Sequence, residues 1–176
     1  RMPESPAVTQ TLVALRAAQT LQPEKGTKPL ADFLIRQNDW VNPLSEDAQQ
    51  LIRERLTPEY LQHFVRHAPL VVHLLNYQRR DLGGMVTAFG AMLVRPEHSL
   101  LLKEVLTHED RATRRCVADL ALAMPGTHHD RVVRIGVESR DPVLRLHCCR
   151  QIGAALETHE AIQVCNRLLS DSFMPV

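Results

Sequence analysis

Aromatic residues are scarce in this chain, with four Phe, two Tyr and one Trp among 176 residues. That poverty argues against a nucleic-acid groove built on aromatic side chains. Lysine is scarcer still, occurring only at Lys25, Lys28 and Lys103, so nearly all positive charge is arginine. Charge of either sign is not in excess: 21 basic residues face 20 acidic ones for a formal net charge of +1. The molecule as a whole therefore lacks the electrostatic footprint of a nucleic-acid or membrane-surface binder. No apolar run reaches the roughly 18 residues needed to span a bilayer, and the N-terminus carries no secretory signal pattern. A cytoplasmic protein without a membrane partner is expected.

The residues that most often carry chemistry are present but not arranged for it. Four cysteines, Cys116, Cys148, Cys149 and Cys165, show no paired C-x-x-C spacing and fall on helix-like segments. Three of them, Cys116, Cys148 and Cys165, sit where a packed helix wants a small apolar side chain, so reduced, buried thiols are expected rather than a disulfide framework. The clusters His147-Cys148-Cys149 and His128-His129 invite a metal, yet adjacent helical residues point about 100° apart and cannot converge on one ion. Nine His and twenty acids yield no nucleophile with its base and no paired carboxylates; Glu109, Asp110 and Asp130 are accounted for by helix starts. Lys25-Gly26-Thr27-Lys28 lacks the spacing of a phosphate loop. Neither catalytic residues, nor a metal, nor a cofactor is expected.

What the chain does have is periodicity. At 44% hydrophobic content it can bury one substantial core. An Asp recurs at Asp81, Asp110 and Asp141, with spacings of 29 and 31 residues, and each opens a stretch that follows another helix-like segment. Such a period, holding one helix pair, marks a stacked α-helical repeat. The third stretch is the clearest: Asp141 can cap a helix, Pro142 suits its first position, and Gly153 suits its end. Leu144, Cys148 and Ile152 follow at the spacing of a single buried face, as do Thr113, Val117, Leu120 and Ala121 in the second stretch. The preceding partner helices are predicted over 96–107, 128–139 and 158–170. Short connectors, such as Met124 to Thr127, make neighbouring helices antiparallel.

The N-terminal half is helical without visible repetition. Helices are predicted over 7–22 and 30–37, then from an N-cap at Ser45 through Leu56, and again from Thr57-Pro58-Glu59. Pro69 should split Tyr60 to Tyr77 into two helices. Gln22 to Pro29 reads as a polar loop, and Trp40, in the turn Asn38 to Pro43, as a cap on the core.

The stretch Asp141-Pro142-Val143-Leu144-Arg145-Leu146-His147-Cys148-Cys149-Arg150-Gln151-Ile152-Gly153 resembles the second helix of a HEAT repeat, whose pattern runs D-P-x-V-R-x-A-A-x-x-A-L-G. Asp110 to Leu122 keeps Asp110, Thr113, Arg114, Cys116, Val117 and Leu120 in register, whereas Asp81 to Leu93 keeps only Asp81 and the run Thr87, Ala88, Ala91, Met92. The resemblance covers residues 58–170, His147 and Gln151 being its departures from small residues. It implies an all-α fold, a right-handed superhelical solenoid of antiparallel helix pairs, in a single domain whose residues 1–57 form a helical cap. It also implies a ladder in which Arg114 or Arg145 bonds the Asp of a neighbouring repeat.

Solenoids of this kind mostly serve as binding scaffolds, with the second helices forming a concave wall. A non-enzymatic scaffold or adaptor is therefore expected, one that takes a partner protein's helix or peptide segment, or a second copy of itself. If Leu144, His147, Cys148, Gln151 and Ile152 face the core, then Val143, Leu146, Cys149 and Arg150 face outward. Register then puts Ala112, Arg115, Ala118 and Asp119 outward in the second stretch, and Gly83, Val86, Phe89 and Gly90 in the first. The expected partner-binding residues are Val86, Phe89, Arg115, Asp119, Val143, Leu146 and Arg150, a largely apolar groove with a charged rim. The alternative is a nucleic-acid-binding HEAT-like module, including the alkylpurine DNA glycosylase type, working through Arg111, Arg114, Arg115, Arg145 and Arg150. Arg does not recur at every exposed repeat position, which makes nucleic acid the weaker expectation.

Overall fold

The computed structural model describes residues 27–36, 42–76, 83–126 and 128–170. Every regular element among them is helical. The helix predicted over 7–22, Trp40 with most of its turn, and Asp81 lie outside the described residues. The chain divides into two compact units, residues 1–92 and 93–176.

The first unit contains α1 (Thr27–Arg36), α2 (Asn42–Arg55), a 3-10 turn (Pro58–Tyr60), α3 (Leu61–Arg66), α4 (Ala68–Asn76) and α5 (Gly83–Leu93), the last residue of which passes the division. Helix α1 packs on α2, α3 and α4. It presents Leu30, Phe33 and Leu34 inward, against a core to which α2 adds Ala48, Leu51 and Ile52. The Arg55 guanidinium lies 5.0 Å from the centre of the Phe33 ring. Pro69 acts as predicted: the chain breaks at His67, where a φ of −101° and a ψ of 10° leave the helix, and resumes as α4. Thr57 precedes the 3-10 turn, again as predicted, and its contact holds the Glu59 carboxyl below its ordinary value.

Ser45 is a correction. Helix α2 begins at Asn42, one residue before Pro43, and Ser45 lies inside it and buried. Pro at an early helical position costs no hydrogen bond, so the helix starts there and not after Ser45. The predicted loop Gln22 to Pro29 is likewise shortened, since Thr27 already belongs to α1.

The second unit contains a 3-10 turn (Pro96–His98), α6 (Ser99–His108), α7 (Arg111–Ala123), α8 (His129–Val137), α9 (Pro142–Cys149), a single turn α10 (Ile152–Ala155) and α11 (Thr158–Leu169). Asp110 and Asp141 are N-caps, as the sequence predicts. Asp110 accepts from the Ala112 and Thr113 amides at 2.8 and 3.2 Å, and Asp141 from the Val143 amide at 3.0 Å. Helices α8 and α9 form an antiparallel pair, because Val132 meets Cys148 near one end while Ser139 meets Arg145 at the other. Their approach is closest at Gly136: a Cβ placed there would stand 2.1 Å from Cys148 Sγ. Gly136 is thus required for packing and Cys148 is fully buried behind it, its thiol pushed up to about 12 by burial.

The two histidines that follow α7 close its end. Carbonyls only accept, so His128 and His129 donate through Nε2 to Ala121 O at 2.6 Å and Met124 O at 2.7 Å, satisfying acceptors that a helix end leaves open. The connector from α7 to α8 turns at Gly126, whose φ of 149° suits glycine alone.

The third stretch is not one continuous helix. Helix α9 ends at Cys149, Arg150 and Gln151 form a turn, and Ile152 opens α10. Of the three thiols expected to be packed, Cys148 is buried, Cys116 is half-buried and Cys165 is exposed.

Candidate functional site

The expected wall is built from α7 and α9 in the second unit. These two helices lie side by side and run parallel, since Arg115 pairs with Asp141 and, one turn further along α7, Asp119 pairs with His147. Arg115 donates from Nε and Nη2 to the two Asp141 oxygens at 2.8 and 2.7 Å, a forked ion pair whose carboxylate is shut off from solvent. The Arg115 bond, more than any other contact, holds the Asp141 carboxyl below the usual carboxylate range. The same Asp141 caps α9, so one side chain both starts a helix and ties it to its neighbour. At the second rung His147 Nδ1 lies 2.6 Å from Asp119 Oδ1, an ion pair only when the imidazole is protonated. Partial burial raises the Asp119 carboxyl, with His147 pulling the other way.

A rung of the ladder is made by Arg115, an arginine not expected in it. Arg114 was expected on an Asp and is not: it turns toward the cleft side of α7, with Nε buried and without a hydrogen-bond partner. Arg145 is buried and donates from Nη1 to Ser139 O at 3.0 Å, bracing the turn that leads into its own helix. Successive helical residues differ by about 100°, which puts Arg115 and not Arg114 on the side facing α9. His147, expected in the core, is half-buried and pairs with Asp119. The signal that reveals this ladder in the sequence is charge complementarity in matching order: Arg115 then Asp119 along one helix, Asp141 then His147 along the other.

The seven expected partner-binding residues separate into two groups. In the second unit Val143 is 50% exposed, Arg150 and Asp119 are exposed, and Leu146 and Arg115 are half-buried. Arg115 and Asp119 spend their charge on α9, however, and Ala118, expected outward, is fully buried. In the first unit Val86 is 7% exposed and Phe89 0%, so neither can present a surface to a partner. The Phe89 ring lies 5.7 Å from that of Phe64, within the core of its own unit. The exposed side of α5 is instead Gly83, Gly84, Thr87, Ala88 and Ala91. A helix reading GGMVTAFGAML has no charged residue to mark its wet face, so its rotation could not be read from its pattern.

Loss of the Asp141 carboxylate has a predictable acid signature. Its folded value is depressed, so its stabilisation is fully present above the unfolded value of about 3.9 and is lost as pH falls through the lower folded value. Asp141→Asn should lower the urea midpoint at pH 7 and flatten the decline below pH 4. Asp141→Ala should cost about 1–2 kcal/mol through the lost cap. Equal acid profiles for Asp141→Asn and the parent would show that the Arg115 pair contributes nothing.

Among the described residues no three His, Cys, Asp or Glu side chains gather as a metal cluster, and no helix is long and apolar enough to cross a membrane. No protein-family model, curated protein or solved structure matches this chain.

Proposed function

We propose that this chain is a non-enzymatic protein-interaction scaffold of the HEAT-like class, a right-handed superhelical solenoid that takes a helix or peptide segment of another protein, or of a second copy, on its second helices. The observation that carries the reading is the parallel placement of α7 beside α9, each the second helix of its pair, with Val143 half exposed on that wall. Packing of α6 on α8 below them repeats the same step in the first helices. Helix α11 continues that row: Arg134 pairs with Glu160 and Glu138 with Arg167, in ascending order along both helices. The partner surface is the second-unit part of the expected groove, Val143, Leu146 and Arg150. Arg150 is exposed four residues after Leu146, which suits an amphipathic segment with an acidic flank. The nucleic-acid alternative is weakened, since Arg115 is held by Asp141 and Arg145 by a backbone carbonyl.

Both Val143 and Arg150 are exposed, so Val143→Asp with Arg150→Glu should leave helical circular dichroism and the thermal midpoint unchanged. Affinity capture from the native source should then retain a set of proteins on the parent chain that the double variant loses, and any self-association in sedimentation should disappear with it. Equal capture and equal sedimentation by the two chains would refute the assignment of this wall.

A further inference from the structure

A second feature of the 93–176 unit is a cleft of about 630 Å³ between α6, α7 and the turn that ends α8. Its lining includes Lys103, Arg114 and Arg140, with a single acid, Glu138. That acid is engaged elsewhere, its carboxylate lying 3.0 Å from Arg167 Nη1. Asp110 is near enough for the Arg114 charge to act on it, yet its oxygens are occupied by Ala112 and Thr113. Lys103, Arg114 and Arg140 form no salt bridge with any carboxylate among the described residues. Three like charges around one concavity repel one another, and Arg114 adds a buried Nε–H with no acceptor. An anion in the cleft would answer both costs at once.

We infer that this cleft binds a small organic phosphate, with the dianionic group between Lys103, Arg114 and Arg140 and an apolar or aromatic moiety against Leu106 and Ile135. The volume lies in the range of small-ligand sites, roughly 300–1,000 Å³. A dianion matches three cations better than a monocarboxylate, and two arginines supply the planar donors that phosphate oxygens accept. Leu106 and Ile135 give the remainder of the ligand somewhere to go that inorganic phosphate cannot use. His108, also on the lining, can add a further donor. The inference is independent of the scaffold reading, because it shares no residue with the Val143 wall.

The test uses the whole chain and phenyl phosphate as probe, with inorganic phosphate, benzoate and a single-stranded oligonucleotide for comparison. Titration followed by 1H–15N NMR should move the Arg114 Nε–H resonance saturably, phenyl phosphate binding more tightly than inorganic phosphate or benzoate. Lys103 and Arg140 are exposed, so Lys103→Glu with Arg140→Glu should fold normally and weaken phenyl phosphate by at least roughly tenfold, the loss of about one charge-assisted hydrogen bond. The inference is overturned if the Arg114 resonance does not move, or if the double variant, with unchanged circular dichroism, binds phenyl phosphate as the parent does. It is equally overturned if benzoate or inorganic phosphate binds as tightly, or if the oligonucleotide binds more tightly than phenyl phosphate.

Discussion

Phe89→Asp is expected to unfold the first unit, with a large loss of helical circular dichroism amplitude at 25 °C. The ring it removes is fully buried and packs against Phe64. Truncation of such a side chain to Ala already costs about 3–5 kcal/mol, and a carboxylate in the same place must also be desolvated without a partner. The total approaches the roughly 5–15 kcal/mol by which whole domains are stable. Leu146→Asp is the contrasting variant, because Leu146 is only half-buried and lies beside exposed Val143 on α9. It should retain the helical signal. A Phe89→Asp chain with parental circular dichroism and an unchanged urea midpoint would show that the Phe64–Phe89 core is not required.

Gly136 is expected to be intolerant for the opposite reason, though at smaller cost. Its α8 backbone is so close to α9 that a Cβ would meet Cys148 Sγ at 2.1 Å and Cys148 Cβ at 3.0 Å. Overpacking of this kind costs about 1–3 kcal/mol, which outweighs the gain of about 1 kcal/mol from replacing Gly by Ala in a helix. Gly136→Ala should therefore lower the urea midpoint, and Gly136→Val should lower it further. Cys148→Ala removes the nearer atom, so Gly136→Ala with Cys148→Ala should be more stable than Gly136→Ala alone, a strong departure from additivity. Additive losses would mean that the two helices can separate at little cost.

The contrast between α5 and α9 explains how much of the wall was legible. Along α9 the buried Leu144 and Cys148 alternate with exposed Val143 and Arg150, and the pattern alone assigns those faces. Along α5 every residue is apolar or small apart from Thr87, so Val86 and Phe89 could be placed outward by register with the other stretches, and were turned inward by packing. Register with a repeat pattern is least reliable where the local sequence carries no amphipathic signal. Arg114 and Arg115 make the same point with charge. Adjacent in sequence, one faces α9 and the other the cleft, and only the rotation of α7 against its neighbours distinguishes them.

Local chemistry settled the helices themselves. Apolar spacing marked them, and Asp110 and Asp141 announced their starts, because a carboxylate two residues before a free amide needs nothing distant to form its bond. Pro69 announced a break for an equally local reason. Tertiary structure decided which arginine became a rung, which glycine became a contact point, where the chain divides, and that three cations 37 residues apart in sequence, from Lys103 to Arg140, share one cleft. Those outcomes depend on the rotation and separation of packed helices, set by close side-chain fit across the core, and no short window of sequence contains both sides of that fit.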